Sequence, residues 1–244
     1  MAEARKFSVK NLLSPISYPL SPILHRASPN YDARTLPVTM LVLHYTETRS
    51  DKQALSILTN ATAGHPVSSH YVVGRFGRVY ALVDESRRAW HAGVSYWRGV
   101  TDVNSASIGI EISCRGRDAQ GRPVPYGAKQ IEAVVALCAD ICRRHAIRPE
   151  NVVGHSDVAP RRKIDPGELF PWQRLAEHGI GFWTDAFAKP VAPAAKMLAD
   201  IGYDVTDEAA ALTAFQRHYY PEALLTGAPR TLERLAAVHA ALGA

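Results

Sequence analysis

Long apolar runs are missing from this 244-residue chain. Its most apolar stretches, residues 40–43 and 133–139, fall far short of the ~18–20 residues a membrane span needs. Cysteine is scarce: the three present all lie between Cys114 and Cys142, which excludes a disulfide framework. Cys138 and Cys142 stand four apart on the apolar face of an expected helix and read as core thiols. Neither HExxH nor a CxxC pair occurs, so the common zinc signatures are excluded. Charge of one sign is also in short supply, with 28 Lys and Arg against 23 Asp and Glu and a net charge of +5. The cations gather in local clusters, the densest being Arg161, Arg162 and Lys163, and no basic stripe alternates with aromatics. Nucleic acid is therefore not an expected partner. No run of 7–15 apolar residues follows residues 1–10, so no signal peptide is visible and the chain as written reads as cytoplasmic. What is present is an ordinary globular composition, 47% apolar and 21% charged, with length for one main domain and a small second one.

Residues 1–37 form an arm in which Pro15, Pro19, Pro22, Pro29 and Pro37 break any long helix. Ile16, Tyr18, Leu20, Ile23 and Leu24 give this arm something to bury. From residue 38 the pattern changes. Residues 40–43 (MLVL) suit a strand buried on both faces that delivers His44 at its end. A helix is expected over 52–62, and 70–73 and 78–83 flank Gly74-Arg75-Phe76-Gly77 as an antiparallel hairpin. Residues 107–113 (SIGIEIS) alternate as a strand and carry Glu111, residues 128–145 have helical spacing, and 152–154 form a last short strand that hands over to His155. Strands interleaved with helices predict an α/β fold with a central mixed β-sheet flanked by helices. Residues 188–193 read as a linker. Beyond it, 194–201, 208–219 and 232–242 predict a small C-terminal three-helix domain, with Thr206 and Thr231 as N-caps. The expected domains are thus the arm 1–37, a main domain 38–187 and a helical domain 194–244.

His44 and His155 both follow strands, and the segment after His155 is polar and closes with Asp165-Pro166-Gly167. Two neutral imidazoles and one carboxylate make the protein ligand set of a catalytic zinc site, in which the metal lowers the pKa of water toward ~7. Spacing does not decide between Asp157 and Asp165 as the third ligand. The ordered motifs are more specific: His44-Tyr45-Thr46, Ser68-Ser69-His70-Tyr71, Ala89-Trp90-His91-Ala92-Gly93, Asn104, Ser107-Ile108-Gly109-Ile110-Glu111-Ile112, Val153-Gly154-His155 and Lys163-Ile164-Asp165-Pro166-Gly167. Together, over about residues 36–180, they resemble the zinc-dependent N-acetylmuramoyl-L-alanine amidases of the type-2 amidase family, the AmpD-like and peptidoglycan-recognition-protein fold.

The resemblance implies Zn2+ held by His44, His155 and Asp165, with Asp157 left to the loop. It implies that Glu111 helps activate the attacking water and that Lys163 stabilises the developing oxyanion. The Trp90-His91 segment and Asn104 are expected near the substrate groove, and Arg162, in the basic cluster, suits an acidic stem peptide. His70 is expected to be structural, while His25, His65, His145, His178, His218 and His239 carry no motif. The implied activity is hydrolysis of the amide between N-acetylmuramic acid, or its 1,6-anhydro form, and L-alanine, in peptidoglycan or muropeptides. The alternative is a non-catalytic peptidoglycan-recognition module, a branch in which a metal ligand is typically lost; a zinc peptidase acting within the stem peptide is a third reading. The tail resembles the small three-helix peptidoglycan-binding domain through Ile201-Gly202-Tyr203 and Phe215-Gln216-Arg217, or else caps the main domain. A wall-binding tail argues for the periplasm or envelope, against the cytoplasmic reading of the amino terminus.

Overall fold

The computed structural model describes residues 22–243. Ile16, Tyr18 and Leu20 of the expected arm, and residues 1–10, lie outside them. Eight strands are present among the described residues: β1 (Ile23–His25), β2 (Tyr31–Ala33), β3 (Met40–Tyr45), β4 (Tyr71–Val73), β5 (Val79–Ala81), β6 (Arg87–Ala89), β7 (Ser107–Ile112) and β8 (Val152–Gly154). Six form one mixed sheet in the order β1-β5-β4-β7-β3-β8, and β2 pairs with β6 in a small second sheet. Only β4 and β5, the expected hairpin, are antiparallel in the large sheet; β3 runs parallel to both β7 and β8. The second half of the arm packs along the main domain, where Ile23–His25 form an edge strand beside β5.

The period of two along β3 and β7 divides the molecule into layers. Leu41 and Leu43 of β3, with Ile108, Ile110 and Ile112 of β7, join a core under α3 (Ala128–His145), which brings Ile131, Val134, Val135, Cys138 and Ile141. Cys138 is fully buried there and Cys142 packs against the same core. Met40 and Val42 face the other way and share a second core with Val153 and Val158. The alternate residues of β7, Ser107, Gly109 and Glu111, also face that way. This face is closed by the C-terminal helices α6 (Ala194–Ile201), α7 (Glu208–Tyr219) and α9 (Thr231–Leu242), which contribute Met197, Leu198, Ile201, Phe215 and Leu235 to the same core.

Several local expectations are corrected. The helix expected over 52–62 is α1 (Asp51–Leu58), capped by Ser50, whose hydroxyl accepts from the Gln53 N–H. It stops early because Asn60 Oδ1 accepts from the Thr62 N–H, a side-chain turn that competes with helix continuation. The cap of α7 is Asp207 rather than Thr206: its carboxylate takes the Ala210 N–H. Thr231 begins α9 rather than capping it, and its hydroxyl accepts from Gln216 on α7.

Candidate metal centre

β3 and β8 end side by side, so His44 and His155 emerge at the same edge of the sheet, His155 opening the short helical turn α4 (His155–Val158). The chain then loops back through Lys163 and Ile164 to Asp165, whose backbone carbonyl accepts from the Ser156 N–H. Three buried groups converge. His44 Nδ1 lies 2.9 Å from His155 Nδ1 and 3.2 Å from Asp165 Oδ2, and His155 Nδ1 lies 3.0 Å from the same oxygen. Asp157 is not among them: it sits fully buried with its carboxylate turned to the Gly154 N–H, Tyr203 and His218. The alternative that sequence spacing left open is thereby separated in space.

Electrostatics suit the converging groups to a cation. Burial, and then the neighbouring His155 ring, push His44 down to about 4, so its imidazole is neutral at pH 7. Burial alone would raise the Asp165 carboxyl, but the imidazoles of His155 and His44 beside it hold it below the usual carboxylate range. His155 Nε2 faces the Ala92 carbonyl at 3.1 Å, an acceptor only, so Nε2 is the donor in that contact and Nδ1 is the nitrogen turned inward. Bonds of ~2.0–2.1 Å in a tetrahedron set donor atoms about 3.3–3.4 Å apart. The 2.9–3.2 Å separations here come within a few tenths of an ångström of that spacing. The donor set fits a small divalent ion.

A cavity of about 290 Å³ opens over these groups, lined among others by Tyr45, Trp90, Glu111 and Lys163. Glu111 stands opposite His44 in the β3–β7 register. Its Oε2 is buried with no hydrogen-bond partner, and burial, followed by the Asp165 charge, pushes the carboxyl up to about 8. Trp90 is half-buried on the same wall, its indole N–H donating to Asp32 at 2.7 Å. Arg162 is exposed, but its guanidinium donates to the backbone carbonyls of Ala92 and Val94. Asn104 is buried and holds the backbone N–H groups of His91 and Ala92. His91 is buried against His44, Nδ1 to Nε2 at 3.0 Å, and also reaches the cavity wall. His70 accepts the Gly109 N–H. Sequence reasoning quotes Tyr45, Ser68 and Ser107 within motifs without giving them a role, although Tyr45 and Ser68 line the cavity, and it misses Asp32, which holds Trp90. The signal available for Ser107 was the small-polar face of β7, Ser107-Gly109-Glu111.

The family described as N-acetylmuramoyl-L-alanine amidase matches residues 34–168. The chain belongs to this family. This amidase is 41% identical over 213 residues to N-acetylmuramoyl-L-alanine amidase AmiD of Escherichia coli K12, covering 75% of each protein. It is 33% identical over 165 residues to 1,6-anhydro-N-acetylmuramyl-L-alanine amidase AmpD of Haemophilus influenzae, covering 60% of this chain and 86% of that one. Among solved structures it resembles E. coli AmiD in complex with anhydro-N-acetylmuramic acid-L-Ala-D-gamma-Glu-L-Lys, with a TM-score of 0.72 and 39% identity over 84% of this chain and 89% of that one. AmpDh3 of Pseudomonas aeruginosa in complex with an anhydromuramic pentapeptide gives 0.69 and 32%, over 87% and 93%. Both structural likenesses extend beyond the segment that the family matches. No helix among the described residues is long and apolar enough to cross a membrane.

Proposed function

We propose that this amidase hydrolyses the bond between N-acetylmuramic acid, including its 1,6-anhydro form, and the L-alanine of the stem peptide, with Zn2+ held by His44, His155 and Asp165. The convergence of two imidazole nitrogens and one carboxylate oxygen within 3.2 Å of one another carries the reading. A non-catalytic recognition module is the weaker alternative, because all three donors are present and mutually placed. Zinc held by His44, His155 and Asp165 would supply Lewis-acid chemistry, polarising the scissile carbonyl and making water a better nucleophile at neutral pH.

The chain's own residues supply the rest. Glu111, unpartnered at Oε2 and lining the cavity, would be ionised by the charge of a bound cation and could then accept a proton from the attacking water and return it to the departing alanine nitrogen. Lys163 lines the same cavity two residues before Asp165, where its ammonium would offset charge that grows on the carbonyl oxygen only as the bond breaks. Lys163→Ala is therefore expected to retain zinc and lose about 10²–10³ in kcat, as when one oxyanion donor is removed. An unchanged kcat would assign Lys163 to the solvated loop. Trp90 forms the wall on which the sugar or peptide lies, and Arg162 braces the rim while its exposed side faces the acidic stem. The inner surface of residues 194–243 closes the amidase sheet; the outer surface of this tail is proposed to hold wall polymer, which would put the enzyme in the envelope rather than the cytoplasm.

Metal analysis of the purified protein should give one zinc per chain, and His155→Ala should abolish it; full occupancy in that variant overturns the ligand assignment. Product analysis by mass spectrometry on anhydro-muropeptide and on intact sacculi tests the reaction. Free stem peptide with L-alanine at its amino end is the expected product, whereas cleavage inside the stem would make the chain a peptidase.

A further inference from the structure

His44 and His155 each present Nδ1 to the centre, and each ring's other nitrogen meets the same short segment. His155 Nε2 lies 3.1 Å from the Ala92 carbonyl, and His44 Nε2 lies 3.0 Å from His91 Nδ1. The first contact fixes its proton directly. The second requires a count of protons back through the structure. Ser107 donates its only hydroxyl proton to the Val103 carbonyl at 2.5 Å. Its oxygen can then only accept from His91 Nε2 at 3.3 Å. That leaves His91 Nδ1 with a lone pair, so the hydrogen between the two rings belongs to His44 Nε2, and His44 Nδ1 is bare.

The segment itself is held. Asn104 Oδ1 accepts the His91 N–H at 3.0 Å and the Ala92 N–H at 2.7 Å. The His91 ring lies flush on β7 at Gly109, where a Cβ would come within 2.5 Å of the ring. The glycine in SIGIEIS is thus the room that admits the ring, a close approach no other residue allows. His91 and Asn104 are 8% and 6% exposed, so most of each side chain is committed to the scaffold even where His91 reaches the cavity wall.

We propose that His91 and the Ala92 carbonyl, pinned by Asn104 and Ser107, form a positioning frame that dictates which nitrogen of each histidine faces the metal. This rests on the metal reading above and replaces substrate contact as the job of His91 and Asn104. Partners behind a metal-bound histidine fix its tautomer and ring orientation, and losing one typically costs about 10–100-fold in metal affinity.

Zinc dissociation constants, measured on the full chain by chelator competition, test this with two variants of His91. His91→Leu keeps bulk but removes the acceptor; His91→Asn is smaller but places an oxygen near where Nδ1 sits. The frame predicts about 10–100-fold weaker zinc binding in His91→Leu, largely restored in His91→Asn, and KM unchanged in both at saturating zinc. A role in core packing alone predicts the opposite order, and a raised KM with wild-type zinc affinity means substrate contact; either result overturns the proposal. Should His91→Leu fail to fold, Ser107→Ala carries the test through the loss of one oxygen: several-fold weaker zinc binding is expected, and wild-type affinity refutes the relay. His44→Ala separates the two levels of inference. Wild-type zinc affinity in that variant removes the metal site itself, whereas lost zinc in His44→Ala beside wild-type affinity in His91→Leu removes the frame alone.

Discussion

Glu111→Gln is expected to keep zinc and the fold, and to lose about 10²–10⁴ in turnover on a muramoyl-L-alanine substrate. The substitution preserves size and a carbonyl oxygen, so it removes only the ability to take a proton. The setting of Glu111 makes a second, independent readout available. Its Oε2 is buried without a partner, and burial raises the carboxyl from its ordinary 4.5 to about 8, with Asp165 adding to the shift and Lys163 opposing it. An acid with a raised pKa in the folded state binds more protons there than in the unfolded chain between those two values. In metal-free protein, stability is therefore undiminished below pH 4.5, falls as pH rises toward 8, and levels off above it. Glutamine has no such dependence. Thermal melts of the metal-free pair should thus show Glu111→Gln gaining on the parent protein between pH 5 and pH 8, with the parent losing ground as the carboxyl is forced to ionise. A turnover near that of the parent would mean the carboxylate only orients water; identical melts at both pH values would mean it is solvated and ordinary. Loss of activity with a gain in stability is the signature expected of a group kept uncomfortable for its chemistry.

The parts of this molecule that are legible in the sequence are those whose signal is local. The α3 helix falls on 128–145 as expected because its apolar residues repeat at helical spacing over five turns. β3 is legible because a strand buried on both faces is apolar at every position until His44. β7 shows both faces at once, with isoleucine toward α3 and the serine, glycine and glutamate side toward the centre. β1, β2 and β6 are short and mostly exposed, with neither a period nor the apolar run that marks the equally short but buried β8, so they are invisible until their partners are placed. The ligand set lay between two readings because 111 residues separate the histidines, and only folding brings Asp165 in and turns Asp157 away. The work of His91 and Asn104 is hidden for the same reason. A motif marks a residue as present near a site, but whether it touches substrate or holds a ligand depends on hydrogen bonds made across the sheet.

His218→Ala is expected to destabilise the whole chain by about 3–5 kcal/mol, although His218 lies in the tail and belongs to no motif. The reason is Asp157. This carboxylate is fully buried and has three donors: the Gly154 N–H at 2.7 Å, the Tyr203 hydroxyl at 2.8 Å and His218 Nδ1 at 2.7 Å. Two of the three come from the C-terminal helical region. The His218 ring is itself stacked between Trp172, with centroids 3.7 Å apart, and Tyr219, at 3.9 Å. Truncation would leave one carboxylate oxygen with the Gly154 N–H alone and open a void between two aromatic faces. Tyr203→Phe, which deletes one hydroxyl and no volume, should cost less, about 1–3 kcal/mol. Asp157 shares the α4 turn with His155, so the loosened carboxylate sits two residues from a proposed metal ligand, and zinc affinity should fall alongside stability. Deleting 194–244 should do more than either substitution. It would uncover Met40, Val42, Val153 and Val158, which share their core with the tail, and the remaining fragment should aggregate rather than survive as a free enzyme. A soluble, zinc-loaded 1–193 fragment that hydrolyses a small muropeptide would show the opposite: a tail that folds apart from the amidase and serves the wall alone. Chemical denaturation of the two point variants, with zinc content measured on the same samples, decides between a shared core and an appended module.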